Sequence, residues 1–99
     1  MDRAFYCHMT RPDAEWIVEA LQAAGLEARI VGSLAVKKQS HHDIDIVVRI
    51  VDDHTYQAYW HALERLGLRY ERTDAPPSAE IWVGRSRDGS VLVVDVHPE

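Results

Sequence analysis

One cysteine, Cys7, stands in 99 residues. Without a second thiol there is no internal disulfide framework and no CxxC zinc site. Long apolar runs are also missing. No run, Val91–Val94 and Ile46–Val48 included, exceeds four residues, far below the ~18–20 residues of a membrane-spanning helix, so no membrane partner is expected. The opening MDRAFYCHMTRPD holds no continuous apolar stretch, so no secretory leader is expected and the cytoplasm is the expected compartment. Positive charge is scarce: 11 Lys and Arg against 16 Asp and Glu give a net charge of −5. That disfavours bulk nucleic-acid binding, which wants a basic face. A small anion needs only local charge. Lys37-Lys38, followed by His41-His42, offers it, although the same residues also read as a solvated loop. No internal repeat or low-complexity tract interrupts the chain, and Ala75-Pro76-Pro77-Ser78 reads as a loop between elements.

What is present is ordinary globular material, with 46% hydrophobic and 27% charged residues. A chain of this length buries roughly 60–70% of its unfolded surface, enough for one modest core. Residues 1–99 are therefore expected to form a single domain. Thr10 caps a first helix, Pro12 and Asp13 suit its first turn, and Trp16, Ile17, Ala20, Leu21 and Ala24 recur at helical spacing up to Gly25. A strand is predicted at Ala28–Val31. Gly32-Ser33 breaks it, and Leu34–Lys38 is expected as a short helix. Asp43–Ile50 has strand composition. Asp52 or Asp53 caps a second helix reaching about Leu66, with Tyr56, Tyr59, Trp60 and Leu63 on its apolar stripe. Arg69–Arg72 suggests a short strand, and Ile81–Arg85 and Val91–Val96 form a hairpin around Asp88-Gly89. The order implies an α+β (mixed α/β) domain with a small mixed sheet and helices packed on one face.

The informative residues are acids where strands want apolar side chains. In Asp43-Ile44-Asp45-Ile46 the pleat sends both isoleucines to one face and both aspartates to the other. Their Cα atoms lie about 6.6 Å apart, close enough to converge on one cation. Asp95 repeats the anomaly inside Val91-Leu92-Val93-Val94-Asp95-Val96-His97. If its strand neighbours Asp43–Ile50, the three acids meet. Two carboxylates about 4 Å apart repel by about 1 kcal/mol in water and about 4 kcal/mol at an effective dielectric of 20. Such groups take up protons, separate, or bind a cation, and oxygen donors suit Mg²⁺ or Mn²⁺. The bland alternative is an exposed strand face. Gly32-Ser33, about ten residues earlier, could let backbone N–H groups approach a phosphate, or be a plain strand-to-helix turn. His41, His42 and His97 lack the regular spacing of a transition-metal site. Tyr56, Tyr59 and Trp60 fit a core and interface cluster better than a base-stacking platform.

Gly32-Ser33, then about ten residues, then Asp43-Ile44-Asp45-Ile46-Val47-Val48, with a third aspartate at Asp95, resembles the signature of the DNA-polymerase-β-like nucleotidyltransferase superfamily. It is most similar to the branch that adenylylates lincosamide and aminoglycoside antibiotics, through Leu66-Gly67-Leu68-Arg69 and Val94-Asp95-Val96-His97. The resemblance covers residues 13–98. Two departures stand out. Leu34-Ala35-Val36-Lys37-Lys38 replaces a stretch that in many members carries an arginine and a glycine, and His42 stands where many have serine.

The resemblance implies a nucleotidyltransferase-like fold and transfer of a nucleoside monophosphate from an NTP, with ATP as the expected donor, to a hydroxyl acceptor. It implies catalytic and metal-binding roles for Asp43, Asp45 and Asp95, with Mg²⁺ or Mn²⁺ as cofactor. It implies nucleotide binding by Gly32 and Ser33, with Lys37 or Lys38 adding charge. Minimal members of this kind often work with a protein partner or as a homodimer. The competing reading is a binding module of the same fold, such as the antitoxin half of a toxin–antitoxin pair. A third is a degenerate copy that binds nucleotide and transfers nothing.

Overall fold

A computed structural model describes residues 9–35, 39–40, 43–74 and 78–99. In chain order the elements are β1 (Met9–Thr10), α1 (Arg11–Ala23), β2 (Ala28–Val31), a 3-10 turn (Gly32–Ala35), β3 (Gln39–Ser40), β4 (Ile44–Val48), α2 (Asp53–Arg65), β5 (Arg69–Asp74), β6 (Ala79–Arg85) and β7 (Val91–Pro98). The expected α+β class is what forms. The helix starts are local chemistry. Thr10 and Asp13 form a capping box at α1, and Asp52 and Thr55 form another at α2. Each box satisfies amide donors that the first helical turn leaves without partners. Among the described residues no helix is long and apolar enough to cross a membrane.

Five strands form one sheet in the order β2-β4-β7-β6-β5, and β1 pairs with β3 as a separate two-stranded piece. All neighbours in the large sheet run antiparallel except β4 and β7, which are parallel. The return from β2 to β4, open in the sequence, is antiparallel.

Alternation then sorts the side chains. Ile44, Ile46 and Val48 of β4 and Leu92, Val94 and Val96 of β7 are fully buried. They meet Ala14, Ile17, Val18 and Leu21 of α1 and Tyr59, Ala62 and Leu63 of α2 in one core. Both helices therefore cover the same face of the sheet. Trp82 joins this core from β6, and its indole N–H donates to the Tyr59 hydroxyl at 2.5 Å. That bond removes a penalty of about 1–3 kcal/mol for a buried donor left without an acceptor. Tyr56 and Trp60 are half-buried against the same cluster, with Trp60 and Trp82 rings 4.8 Å apart. These aromatics belong to the helix-covered side, away from the acids.

Several expected boundaries move. The short helix expected at Leu34–Lys38 is instead a 3-10 turn that begins at Gly32 and is described to Ala35. The strand beginning at Arg69 continues to Asp74, with a register shift between Tyr70 and Arg72. Its partner begins at Ala79 rather than Ile81, and the last strand reaches Pro98.

Candidate functional site

On the sheet face opposite the helices, the odd-numbered residues of β4 and β7 form the site. Because these strands are parallel and in register, Asp45 lies directly beside Asp95, and Val47 beside His97. On its other side Asp95 is paired with Ile81, which is buried. Asp43, just before β4, reaches Asp95 with its side chain. The antiparallel pairing of β2 places Val31 opposite Asp45, so the turn at Gly32 begins immediately over the acids.

Gly32 has φ +72°, a left-handed conformation natural for glycine. A Cβ at this position would stand 2.6 Å from Asp45 Oδ2. The missing side chain is thus the space the Asp45 carboxylate occupies. The other oxygen, Oδ1, lies 3.4 Å from His97 Nε2. His97 follows Asp95 by two residues, so the pleat puts both on one face. Asp95 thus has Asp43 and Asp45 as neighbours, and Asp45 in turn has His97. No three His, Cys, Asp or Glu side chains among the described residues close into a ready-made cation cage.

Asp95 carries the electrostatic signature of this face. Burial, and then the neighbouring charges of Asp43, Asp45 and Asp74, push its carboxyl up to about 7. Its Oδ1 is buried with no hydrogen-bond partner among the described residues. An orphaned acceptor beside two further carboxylates is the donor set a hard divalent cation takes, so the residues present fit Mg²⁺ or Mn²⁺. Asp74 is the acid the sequence reading missed. It ends β5, and an edge strand of composition RYERTD carried no signal toward the centre of the sheet.

The shift in Asp95 has a direct consequence for stability. The folded-state value, about 7, lies above the unfolded one, near 3.8. Below the lower value Asp95 is protonated in both states and costs nothing. Between the two, the unfolded chain releases its proton first, so stability falls as pH rises, and above about 7 the deficit is constant. Asp95→Asn is therefore expected to raise the melting temperature at pH 8 without divalent ions and to leave it unchanged at pH 3. Parallel thermal melts at the two pH values check this; an equal shift at both would contradict the electrostatic origin.

Of the remaining expected site residues, Ser33 contributes its backbone to the 3-10 turn, and its side chain is outside the described residues. Lys37, Lys38, His41 and His42 also lie outside the described residues.

No protein-family model and no curated protein matches the chain. Among solved structures the fold matches Cid1, an RNA terminal uridylyl transferase, with a TM-score of 0.65 at 15% identity. The match covers 90% of this chain and 30% of Cid1, so the chain spans about a third of the length of that protein. The architecture of this chain is thus similar to part of the fold of Cid1.

Proposed function

We propose that this chain is a metal-dependent nucleotidyltransferase that moves a nucleoside monophosphate from an NTP, with ATP as the expected donor, to a hydroxyl acceptor. The observation carrying the reading is the in-register pairing of Asp45 with Asp95, with Asp43 against Asp95 and Gly32 over Asp45. It supports the reading because three carboxylates gathered on one sheet face oppose folding unless something positive joins them.

Asp43 and Asp45 would hold Mg²⁺ or Mn²⁺, and Asp95 would complete the set on the acceptor side. What the ions supply when bound is positive charge, which acidifies the acceptor hydroxyl and neutralises departing pyrophosphate. Asp95, with its carboxyl pushed up to about 7, is suited to take the acceptor proton near neutral pH. The acceptor oxygen forms a bond to the α-phosphorus, the bond from that phosphorus to the β-phosphate bridging oxygen breaks, and pyrophosphate carries the electron pair away. Gly32 and Ser33 would present backbone N–H groups to the phosphates, with Lys37 or Lys38 supplying charge. The proposal extends the resemblance to the antibiotic-adenylylating branch.

A partner-dependent form of this function is the second reading. Both helices pack on the core side, and among the described residues no helix covers the acid face. An acceptor would then be held there by a second chain, as in an antitoxin that acts on its toxin. Transfer of label from [α-³²P]ATP in the presence of Mg²⁺ tests both readings. The protein alone is offered small hydroxyl acceptors in one arm and candidate protein partners in the other. Labelled acceptor in either arm supports transfer. Metal-dependent ATP binding without labelled product in both arms would favour a binding module.

A further inference from the structure

We propose that His97 is a positioning residue for Asp45, holding that carboxylate ready for a divalent cation; the inference rests on the cation-binding reading of the acid face. Asp45 sits beside Asp95 in register, with Asp43 close by. In the absence of a cation, repulsion from these neighbours favours rotation of the Asp45 side chain toward water. Two contacts oppose this. Gly32 closes on Oδ2, where a Cβ would be only 2.6 Å away. On the other side His97 Nε2 stands 3.4 Å from Oδ1. That distance is at the long end for a hydrogen bond, so the contact restrains direction more than it adds stability. In the tautomer that carries its proton on Nε2, the imidazole donates to Oδ1. Both side chains are about 30% exposed, too enclosed to swing freely and open enough for an ion to enter.

The backbone fixes this arrangement. His97 is two residues past Asp95 and pairs with Val47, itself two residues past Asp45. The imidazole therefore stands one pleat beyond the carboxylate pair on the same face. A side chain there without a donor would leave Oδ1 unrestrained. Glutamine can place an amide N–H at nearly the reach of Nε2, whereas alanine cannot.

The test is calorimetric titration of the purified chain with Mn²⁺ alone, without nucleotide. His97→Ala is expected to weaken Mn²⁺ binding by about 10–100-fold, the usual cost of losing the group that orients a ligand. His97→Gln is expected to recover affinity to within about 3-fold of the unaltered chain, because the donated hydrogen bond is restored. Circular dichroism melts of both variants confirm that the sheet persists. Unchanged affinity in His97→Ala, or His97→Gln as weak as His97→Ala, overturns the positioning role and leaves the cation site standing. Absence of Mn²⁺ binding in the unaltered chain overturns both.

Discussion

Asp45→Asn is expected to abolish Mg²⁺-dependent ATP binding while the chain remains folded. Three neighbours converge on Asp45. It lies beside Asp95 in register, beneath Gly32, and against His97. The asparagine side chain has the same shape and keeps an oxygen for His97, but it lacks the charge. A cation held by carboxylates loses a large part of its Coulombic attraction when one ligand becomes neutral. The expected loss is more than about 100-fold in affinity, beyond the 10–100-fold typical of a supporting group. The melting temperature without metal should hold or rise, because one of three repelling charges is gone. Calorimetric titration with Mg²⁺ and ATP decides the matter. Equal affinity in the mutant would remove Asp45 from the site and with it the proposed catalyst.

Gly32→Ala is expected to damage both fold and site. The left-handed backbone at φ +72° costs alanine about 1–2 kcal/mol. The added methyl also falls 2.6 Å from Asp45 Oδ2, closer than real contacts allow. That oxygen ends a rotatable side chain, so Asp45 swings away rather than the sheet breaking. A total loss of about 1–3 kcal/mol follows, or roughly 4–24 °C in melting temperature for a domain of this size. Cation affinity should fall with it, since the displaced carboxylate no longer faces Asp95. The two costs separate in an Asp45→Ala background. There the 2.6 Å clash with Oδ2 is gone and only the 3.3 Å approach to the residue 45 Cβ remains, so Gly32→Ala should cost little more than the backbone part. A full, undiminished cost in that background would mean Gly32 does not pack against Asp45 in the manner described.

Much of this architecture is readable in the residues because much of it is local. A helix cap needs only a few residues, and Thr10 with Asp13 and Asp52 with Thr55 announce their helices from within one turn. The hairpin at Asp88-Gly89 is similarly short-range. The faces of β4 were legible too, because period-2 alternation alone separates Ile44 and Ile46 from Asp43 and Asp45. Where recognition needed partners, it failed. β5 extends to Asp74 because β6 lies beside it, not because Arg69–Asp74 alternates in polarity. β1 and β3 are two residues each and exist only as a pair. The break at Gly32 was legible from glycine itself, but that Asp45 fills the space a side chain there would take is something no local propensity contains.

The acid face shows the same division. That Asp43, Asp45 and Asp95 are anomalous was visible in their valine and isoleucine surroundings. That Asp45 and Asp95 stand side by side depends on the register of two strands fifty positions apart. His97 had a usable signal in its two-residue spacing from Asp95. The contact to Asp45 was hidden until β7 was known to run parallel to β4. Asp74 had no such signal, since its closeness to Asp95 passes through β6.

The seventh strand in chain order is the middle one in space. Without its pairing to β4, the sheet is two pieces with raw edges: a pair, β2 with β4, and a meander, β5-β6-β7. Joining them brings together residues about fifty positions apart, the kind of long-range contact whose loop-closure entropy slows folding. Asp45 and Asp95 become neighbours only at that step. The acid face therefore exists only once β7 has docked against β4, and any substitution that loosens that one parallel pairing takes the face apart as well.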